Sequence, residues 1–128
     1  MARPTATQPT DVELQILEVL WQHGPSTVRE VHNTLAARRD TGYSTTLKML
    51  QVMLEKALVK RDDSVRPQVY RAAKTCQRTQ LQLVDELTQR AFGGSAMHVV
   101  MRMVSAGRIS AEELAQIQQL IREAEEKK

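Results

Sequence analysis

The chain has 128 residues, a formal net charge of +3 and a pI near 9.3. Its hydrophobic content of 41% is typical of a globular domain and excludes wholesale disorder, whereas an aromatic content of only 3% argues against surfaces that stack on sugars or bases. The single cysteine, Cys76, excludes an intramolecular disulfide and suits a reducing compartment.

The N-terminal segment has no apolar signal core, so residues 1–9 are predicted to form a disordered arm and the protein to be cytoplasmic. No apolar run approaches the ~20 residues that span a bilayer, which predicts no membrane insertion.

Thr10 and Glu13 have the spacing of a capping box, which predicts the start of a first helix, and Gly24-Pro25 predicts its end. The apolar face of this helix comprises Leu14, Ile16, Leu17, Leu20 and Trp21.

Two amphipathic helices joined by a short polar turn follow. Ser26 is predicted to cap the first of them, whose apolar stripe is Val28, Val31 and Leu35. Residues 39–42 have turn chemistry, and Ser44 is predicted to cap the third helix. The stripe of that helix predicted to face the core comprises Leu47, Leu50, Met53 and Leu54. Its polar side comprises Thr45, Lys48, Gln51 and Glu55.

After the third helix the pattern changes to that of a β-hairpin. Residues 58–61 and 68–71 are predicted to be short strands, and residues 62–67 a polar tip between them. Three helices followed by a hairpin is the order of a winged helix-turn-helix. We therefore predict a mainly α protein with a winged-helix DNA-binding domain at residues 10–74.

Residues 75–128 are predicted to be a helical dimerisation domain. Gly93-Gly94 separates two helices, and Ser110 and Glu113 form a second capping box. These helices carry much apolar surface without an obvious closed core, so a second copy of the chain is the simplest cover. The predicted dimer interface comprises Leu81, Val84, Leu87, Phe92, Met97, Val100, Met101, Val104, Leu114, Ile117 and Ile121.

The excess positive charge lies in the predicted DNA-binding half. Residues 1–74 hold 11 Lys and Arg against 8 Asp and Glu, whereas residues 75–128 hold 7 against 7. This placement favours a polyanion as the partner of the N-terminal half.

Short polar side chains and cations at helix starts and on the hairpin are the candidate DNA contacts. On the third helix, hydroxyls can contact phosphates or base edges, a lysine can donate to guanine and a glutamine can pair with adenine. The start of the second helix suits a phosphate, and two arginines flank the hairpin tip. The predicted DNA-binding residues are Thr27, Arg29, Ser44, Thr45, Thr46, Lys48, Gln51, Arg61 and Arg66. The alternative for each is an ordinary cap or surface residue.

The order of short motifs resembles that of the penicillinase-repressor family, often called BlaI/MecI, from about Thr10 to Ala124. No single motif is specific, but their order and spacing make the match strong. The matching segments are Val19-Leu20-Trp21, Thr27-Val28-Arg29-Glu30-Val31, Tyr43-Ser44-Thr45-Thr46, Leu54-Glu55-Lys56, Leu58-Val59, Val69-Tyr70 and Phe92-Gly93-Gly94.

The resemblance implies a bacterial winged-helix repressor that binds a palindromic operator as a homodimer through its C-terminal helices. It also implies release when a membrane sensor-protease pathway, responsive to β-lactams in the best-known members, cuts the C-terminal region. Other relatives respond to copper or have no assigned signal.

Three positions depart from the family pattern. Val52 stands where well-known members carry an arginine, so the resemblance implies that the DNA contact of that arginine is missing here. Ala57 replaces the usual glycine after the third helix and is expected to strain the helix exit. The bond that aligns with the family's cleaved Asn–Phe bond is Arg102–Met103, and neither residue matches.

Other function classes have weaker support. No glycine-rich phosphate loop or nucleophile–base constellation suggests an enzyme, and no cofactor is expected. The three histidines lack metal-ligand spacing, and Cys76 is either an oxidant sensor or incidental. A winged helix that docks a protein instead of DNA, or one that senses a metal or small molecule, stays open.

Overall fold

The computed structural model describes residues 8–127, so residues 1–7 of the predicted arm lie outside the described part. Three helices and a small sheet are followed by three further helices, and the predicted mainly α, winged-helix fold class is confirmed. The elements are α1 (Asp11–His23), β1 (Ser26–Thr27), α2 (Val28–Ala36), α3 (Tyr43–Glu55), β2 (Val59–Asp62), β3 (Val69–Ala72), α4 (Cys76–Ala91), α5 (Ala96–Ser105) and α6 (Ala111–Glu126).

Both predicted capping boxes are present. At α1 the Glu13 N–H donates to Thr10 Oγ1 at 3.2 Å, and the Thr10 N–H donates to Glu13 Oε1 at 2.9 Å. Ser110 and Glu113 make the same pair of hydrogen bonds at the start of α6. In each box, two backbone donors that the helix leaves without partners are satisfied locally, which fixes where the helix begins.

The prediction that Ser26 caps the second helix is wrong. Thr27 is the N-cap, and its reciprocal partner is Glu30, three residues later. Ser26 instead lies in β1 opposite Tyr70, and its hydroxyl donates to the Gly24 carbonyl at 2.8 Å. The sequence held the correct signal, because only Thr27 has a glutamate at the spacing of a capping box.

The prediction that Ser44 caps α3 is also wrong. The N-cap is Gly42, which supplies no side-chain cap, and α3 begins at Tyr43. Ser44 is therefore the second helical residue, with its side chain exposed on the first turn.

The hairpin forms a three-stranded antiparallel sheet in the order β1-β3-β2. Both hairpin strands begin one residue later than predicted, at Val59 and Val69, and the two-residue strand β1 was not predicted. Arg61 pairs with Tyr70, whose ring is buried, and Lys60 pairs with Arg71 on the solvent side.

The core lies between α1, α2, α3 and the sheet. Apolar side chains from all three helices and both hairpin strands are buried there, as the helical stripes predicted. The buried core residues are Ile16, Leu17, Val19, Leu20, Val31, Leu35, Leu50, Met53, Val59 and Tyr70.

Ala57 leaves α3 in the left-handed conformation, with φ of +63°. The Leu58 N–H donates to the Met53 carbonyl at 2.9 Å, and the Ala57 N–H donates to the Leu54 carbonyl at 3.1 Å. These two bonds form a Schellman motif, in which glycine is the usual left-handed residue. The expected strain at Ala57 is therefore present, since its Cβ disfavours this conformation.

The chain divides into two compact units, the first ending at Leu83 and the second beginning at Val84, so the division falls inside α4. The predicted functional boundary between residues 74 and 75 stays a prediction. In the second unit, neither α5 nor α6 contains a buried residue. Among the helices of residues 8–127, none is long and apolar enough to cross a membrane.

Candidate nucleic-acid interface

One long side of α3 is polar and exposed. Ser44, Thr45, Lys48, Gln51 and Glu55 are all exposed there. A helix repeats every 3.6 residues, so these positions lie within one arc about three turns long. We call this arc, together with the exposed Val52, the reading face.

The opposite side of α3 is fixed in the core. Leu50 and Met53 are both 0% exposed, and Leu47 and Leu54 are half-buried. Because α3 packs on α2 and β2, the reading face is presented by a rigid support. This arrangement suits insertion of a preorganised helix into a DNA major groove.

Thr46 does not belong to the reading face, which corrects its prediction as a DNA contact. Its side chain is 0% exposed, and its hydroxyl donates to the Gly42 carbonyl at 3.3 Å. His32 Nδ1 lies 3.3 Å from the same hydroxyl oxygen, which can accept a hydrogen bond from that ring. Thr46 thus ties the start of α3 to α2 and positions the helix.

An aromatic cluster lies at the first turn of α3. The Arg29 guanidinium carbon is 4.2 Å from the centre of the Tyr43 ring, and the His32 ring meets Tyr43 edge-on at 5.8 Å. This cation–π contact restricts the rotamers of Arg29 beside the N-terminus of the reading face. The predicted contact residue Arg29 is therefore close to α3 although it belongs to α2.

The start of α2 is less open to a phosphate than the sequence suggested. The Thr27 N–H donates to Glu30 Oε1 at 2.8 Å, and the Glu30 N–H donates to Thr27 Oγ1 at 3.1 Å. The carboxylate of Glu30 thus occupies the end of the helix that favours an anion. A phosphate at Thr27 would have to displace this side chain.

The wing, residues 59–72, carries cations whose charge is partly neutralised by nearby carboxylates. Arg61 Nε donates to Asp63 Oδ1 at 2.6 Å, and Arg66 Nη1 of the guanidinium donates to the Asp63 carbonyl at 3.0 Å. At the same tip, hydrogen bonds from the Ser64 hydroxyl and N–H lower the pKa of Asp62, which keeps it ionised. The two predicted arginines are therefore placed at the wing tip, but carboxylates lie beside them.

Lys60 and Arg71 are two wing cations that the sequence pattern did not single out. They are directly opposite each other in β2 and β3, and both are exposed. Like charges at opposed positions are unfavourable, so an anion beside them would be stabilising. The strand register, which the sequence pattern did not predict, brings them together.

A shallow groove of about 420 Å³ runs between the start of α1 and the reading face. On its α1 side, Glu13 is 6% exposed and accepts a hydrogen bond from Lys56 Nζ at 2.8 Å. Burial raises the pKa of Glu13, but hydrogen bonds from Lys56 and Thr10 outweigh it and hold the pKa below its usual value. This ion pair joins the start of α1 to the C-terminal end of α3.

Most of the predicted dimer residues are exposed apolar side chains. In α5, Met97 is 66% exposed and Met101 58%, and in α6 Ile121 is 53% exposed. Phe92, Leu114 and Ile117 are half-buried. The other predicted dimer residues, all exposed, are Leu81, Val84, Leu87, Val100 and Val104.

The Arg102–Met103 bond lies inside α5, and both side chains are exposed. The Ala106 N–H donates to the Arg102 carbonyl at 3.0 Å, so the backbone here is held in the helix. A protease would need this turn to open before it could bind an extended strand.

No cluster of His, Cys, Asp and Glu within residues 8–127 has the arrangement of a metal site. His32 contacts Tyr43 and Thr46, as described above. Cys76 is the first residue of α4, where it is half-buried.

Comparisons with known proteins agree with this architecture. A family model described as penicillinase repressor matches residues 9–123. Proteins named transcriptional regulator BlaI, from two strains of Mycobacterium tuberculosis, are 34% identical over 121 residues, which is 90% of this chain and 83% of each relative. A solved structure of a MarR family protein from Bacillus stearothermophilus has a TM-score of 0.52 at 20% identity and covers 93% of this chain and 74% of that one. At that identity the structural likeness shows the fold alone.

Proposed function

Because the chain belongs to the penicillinase-repressor family, we propose that it represses transcription by binding a palindromic DNA operator as a homodimer. The observation that carries this proposal is the exposed polar reading face of α3, which is supported on its other side by the fully buried Leu50 and Met53. An exposed arc of hydroxyl, lysine and amide groups has the donors and acceptors that base edges require.

The residues divide into two roles. Lys48 and Gln51, with Thr45, read base edges in the major groove: the lysine donates to guanine and the glutamine pairs with adenine. Arg29, Lys60 and Arg71 contact phosphates and set the position of the protein without carrying sequence preference. The phosphate contacts make binding depend steeply on salt.

The observation that supports a homodimer is the exposed apolar surface of α5 and α6. Water-exposed Met97 and Met101 are unfavourable in an isolated chain, and burial of such side chains on a second copy contributes about 25 cal/mol per Å² of apolar surface. A two-fold dimer presents two reading faces about one or two helical turns apart on DNA, which demands a palindrome.

Release of the operator follows from any event that separates the two copies. A membrane sensor-protease pathway that leads to cleavage at Arg102–Met103 would cut α5 and detach α6 from the dimer surface. Because that bond is helical, cleavage depends on local opening of α5.

The test is selection of binding sites from random duplex DNA, followed by titration of the selected duplex at several salt concentrations. Wild type is compared with the double variant Thr45→Ala/Lys48→Ala. The control is Gln119→Ala/Arg122→Ala, which removes an amide and a cation from the polar side of α6.

We expect a palindrome, loss of at least about tenfold in affinity for the α3 variant, and wild-type affinity for the control. If no sequence is enriched and the α3 variant binds as wild type does, the winged helix is not a DNA reader. A protein-docking role would then explain the exposed face of α3.

A further inference from the structure

Val52 is the one exposed aliphatic side chain on α3, every residue of which the structure describes. Its side chain is 38% exposed, whereas Leu47 and Leu54 are half-buried and Leu50 is 0% exposed. The exposed positions around it are otherwise polar or charged. On a face built of hydrogen-bonding groups, this isopropyl group is the side chain that can make an apolar contact.

Val52 lies in line with the residues that read bases. Ser44, Lys48 and Val52 are each one helical turn apart, and all three line the same groove. One turn of four residues advances about 6 Å along the helix axis. This distance matches about two base-pair steps, so Val52 would meet a base about two steps from the one that Lys48 contacts.

The turn that carries Val52 is held in place. Leu50 and Met53, on either side of it in sequence, are both 0% exposed in the core. The side chain itself is stiff, because a β-branched residue in a helix strongly prefers one χ1 rotamer. Its two methyl groups are therefore fixed before any partner arrives.

In the major groove, only thymine presents an apolar group, its C5-methyl. Guanine, adenine and cytosine present donors and acceptors that a valine cannot satisfy. We propose that Val52 is a specificity-determining residue, which packs against the C5-methyl group of a thymine in each half-site. This inference rests on the proposed operator binding and adds a base preference to it.

The test replaces each thymine of the selected operator in turn by deoxyuridine, which removes only the C5-methyl. Affinities of each duplex are measured by fluorescence anisotropy at one fixed salt concentration, with wild type, Val52→Ala and the β-branched Val52→Thr. Thermal melting of each protein variant shows whether it is folded.

For wild type, we expect one thymine in each half-site whose single replacement weakens binding by about three- to tenfold, the effect of the one buried methyl group that it removes. With Val52→Ala, the same replacement is expected to change affinity by less than about twofold. Val52→Thr keeps one methyl group and the branched shape, and is expected to retain part of the thymine preference.

The role of Val52 would be overturned if no thymine replacement changed the affinity of wild type, or if one replacement weakened binding equally for wild type and Val52→Ala. Operator binding itself would remain intact in either case. Failure of wild type to select any sequence would overturn both the operator binding and the role of Val52. The two failures are therefore distinguishable in one series of titrations.

Discussion

The winged-helix unit and the C-terminal helices use their apolar residues in opposite ways. The first buries ten hydrophobic side chains, whereas α5 and α6 contain no buried residue. Burial of apolar surface is the main favourable contribution to folding. The winged-helix unit therefore has a core of its own, whereas the proposed homodimer would bury the apolar side chains of α5 and α6.

The largest expected effect separates these two regions by stability. Leu50→Ala should lower the free energy of unfolding by about 2–5 kcal/mol, because it leaves a cavity in a closed core. Met97→Ala, at a position 66% exposed, should lower it by less than about 1 kcal/mol at chain concentrations that keep the protein monomeric.

Urea denaturation measures both variants when it is followed by far-UV circular dichroism, to which the helices of both units contribute, and by the fluorescence of Trp21. Trp21 is the single tryptophan and its indole N–H donates to the Lys74 carbonyl at 3.0 Å, so it reports on the winged-helix unit. Equal losses for the two variants would show that the contrast between the regions is false.

A smaller effect concerns the ion pair between Glu13 and Lys56, which anchors α3 within the winged-helix unit. Its hydrogen bonds lower the folded-state pKa of Glu13 below 4.5. The pair therefore contributes stability above that value, and the contribution is lost as the pH falls through 4.5 and then through the folded-state pKa. Glu13→Gln should cost about 1–3 kcal/mol at pH 7 and reduce the loss of stability on acidification.

Chemical denaturation of wild type and Glu13→Gln at a series of pH values checks this prediction. Glu18→Gln is the control, since that carboxylate is exposed although it pairs with Arg38 at 3.1 Å. A difference between wild type and Glu13→Gln that stays constant from pH 7 to pH 3 would contradict the assigned ionisation.

The smallest expected effect lies at the exit of α3. Ala57→Gly should stabilise the winged-helix unit by about 0.5–1 kcal/mol, because glycine relieves the cost of a Cβ at φ of +63°. Ala36→Gly, at the last residue of α2, should do the reverse by up to about 1 kcal/mol. Thermal melting measures both variants. Changes of the same sign in their melting temperatures would contradict backbone strain at Ala57.

The fold was largely predictable because local signals agreed with one another. Capping boxes at Thr10 and Ser110 fixed two helix starts, and the 3.6-residue period separated the buried Leu50 from the exposed Lys48. Where two signals competed, as at Ser26 and Thr27, the residue with a glutamate three positions later became the cap. The strand β1 has two residues, too few to show a period.

The candidate site was less predictable because it depends on contacts between distant residues. Thr46 has a hydroxyl like its neighbours, but it stands four residues before Leu50 and so lies on the buried stripe. The helical period would have indicated this position. Neither the contact of Arg29 with Tyr43 nor the pairing of Lys60 with Arg71 follows from local sequence, since each joins two elements.

Sedimentation velocity of the protein with its selected operator duplex tests the dimeric repressor most directly. We predict two chains on each palindromic duplex, and loss of at least about tenfold in operator affinity when Ile117→Asp places a charge in the apolar surface of α6. One chain per duplex, bound equally well by wild type and Ile117→Asp, would contradict a homodimer that reads DNA through paired α3 helices.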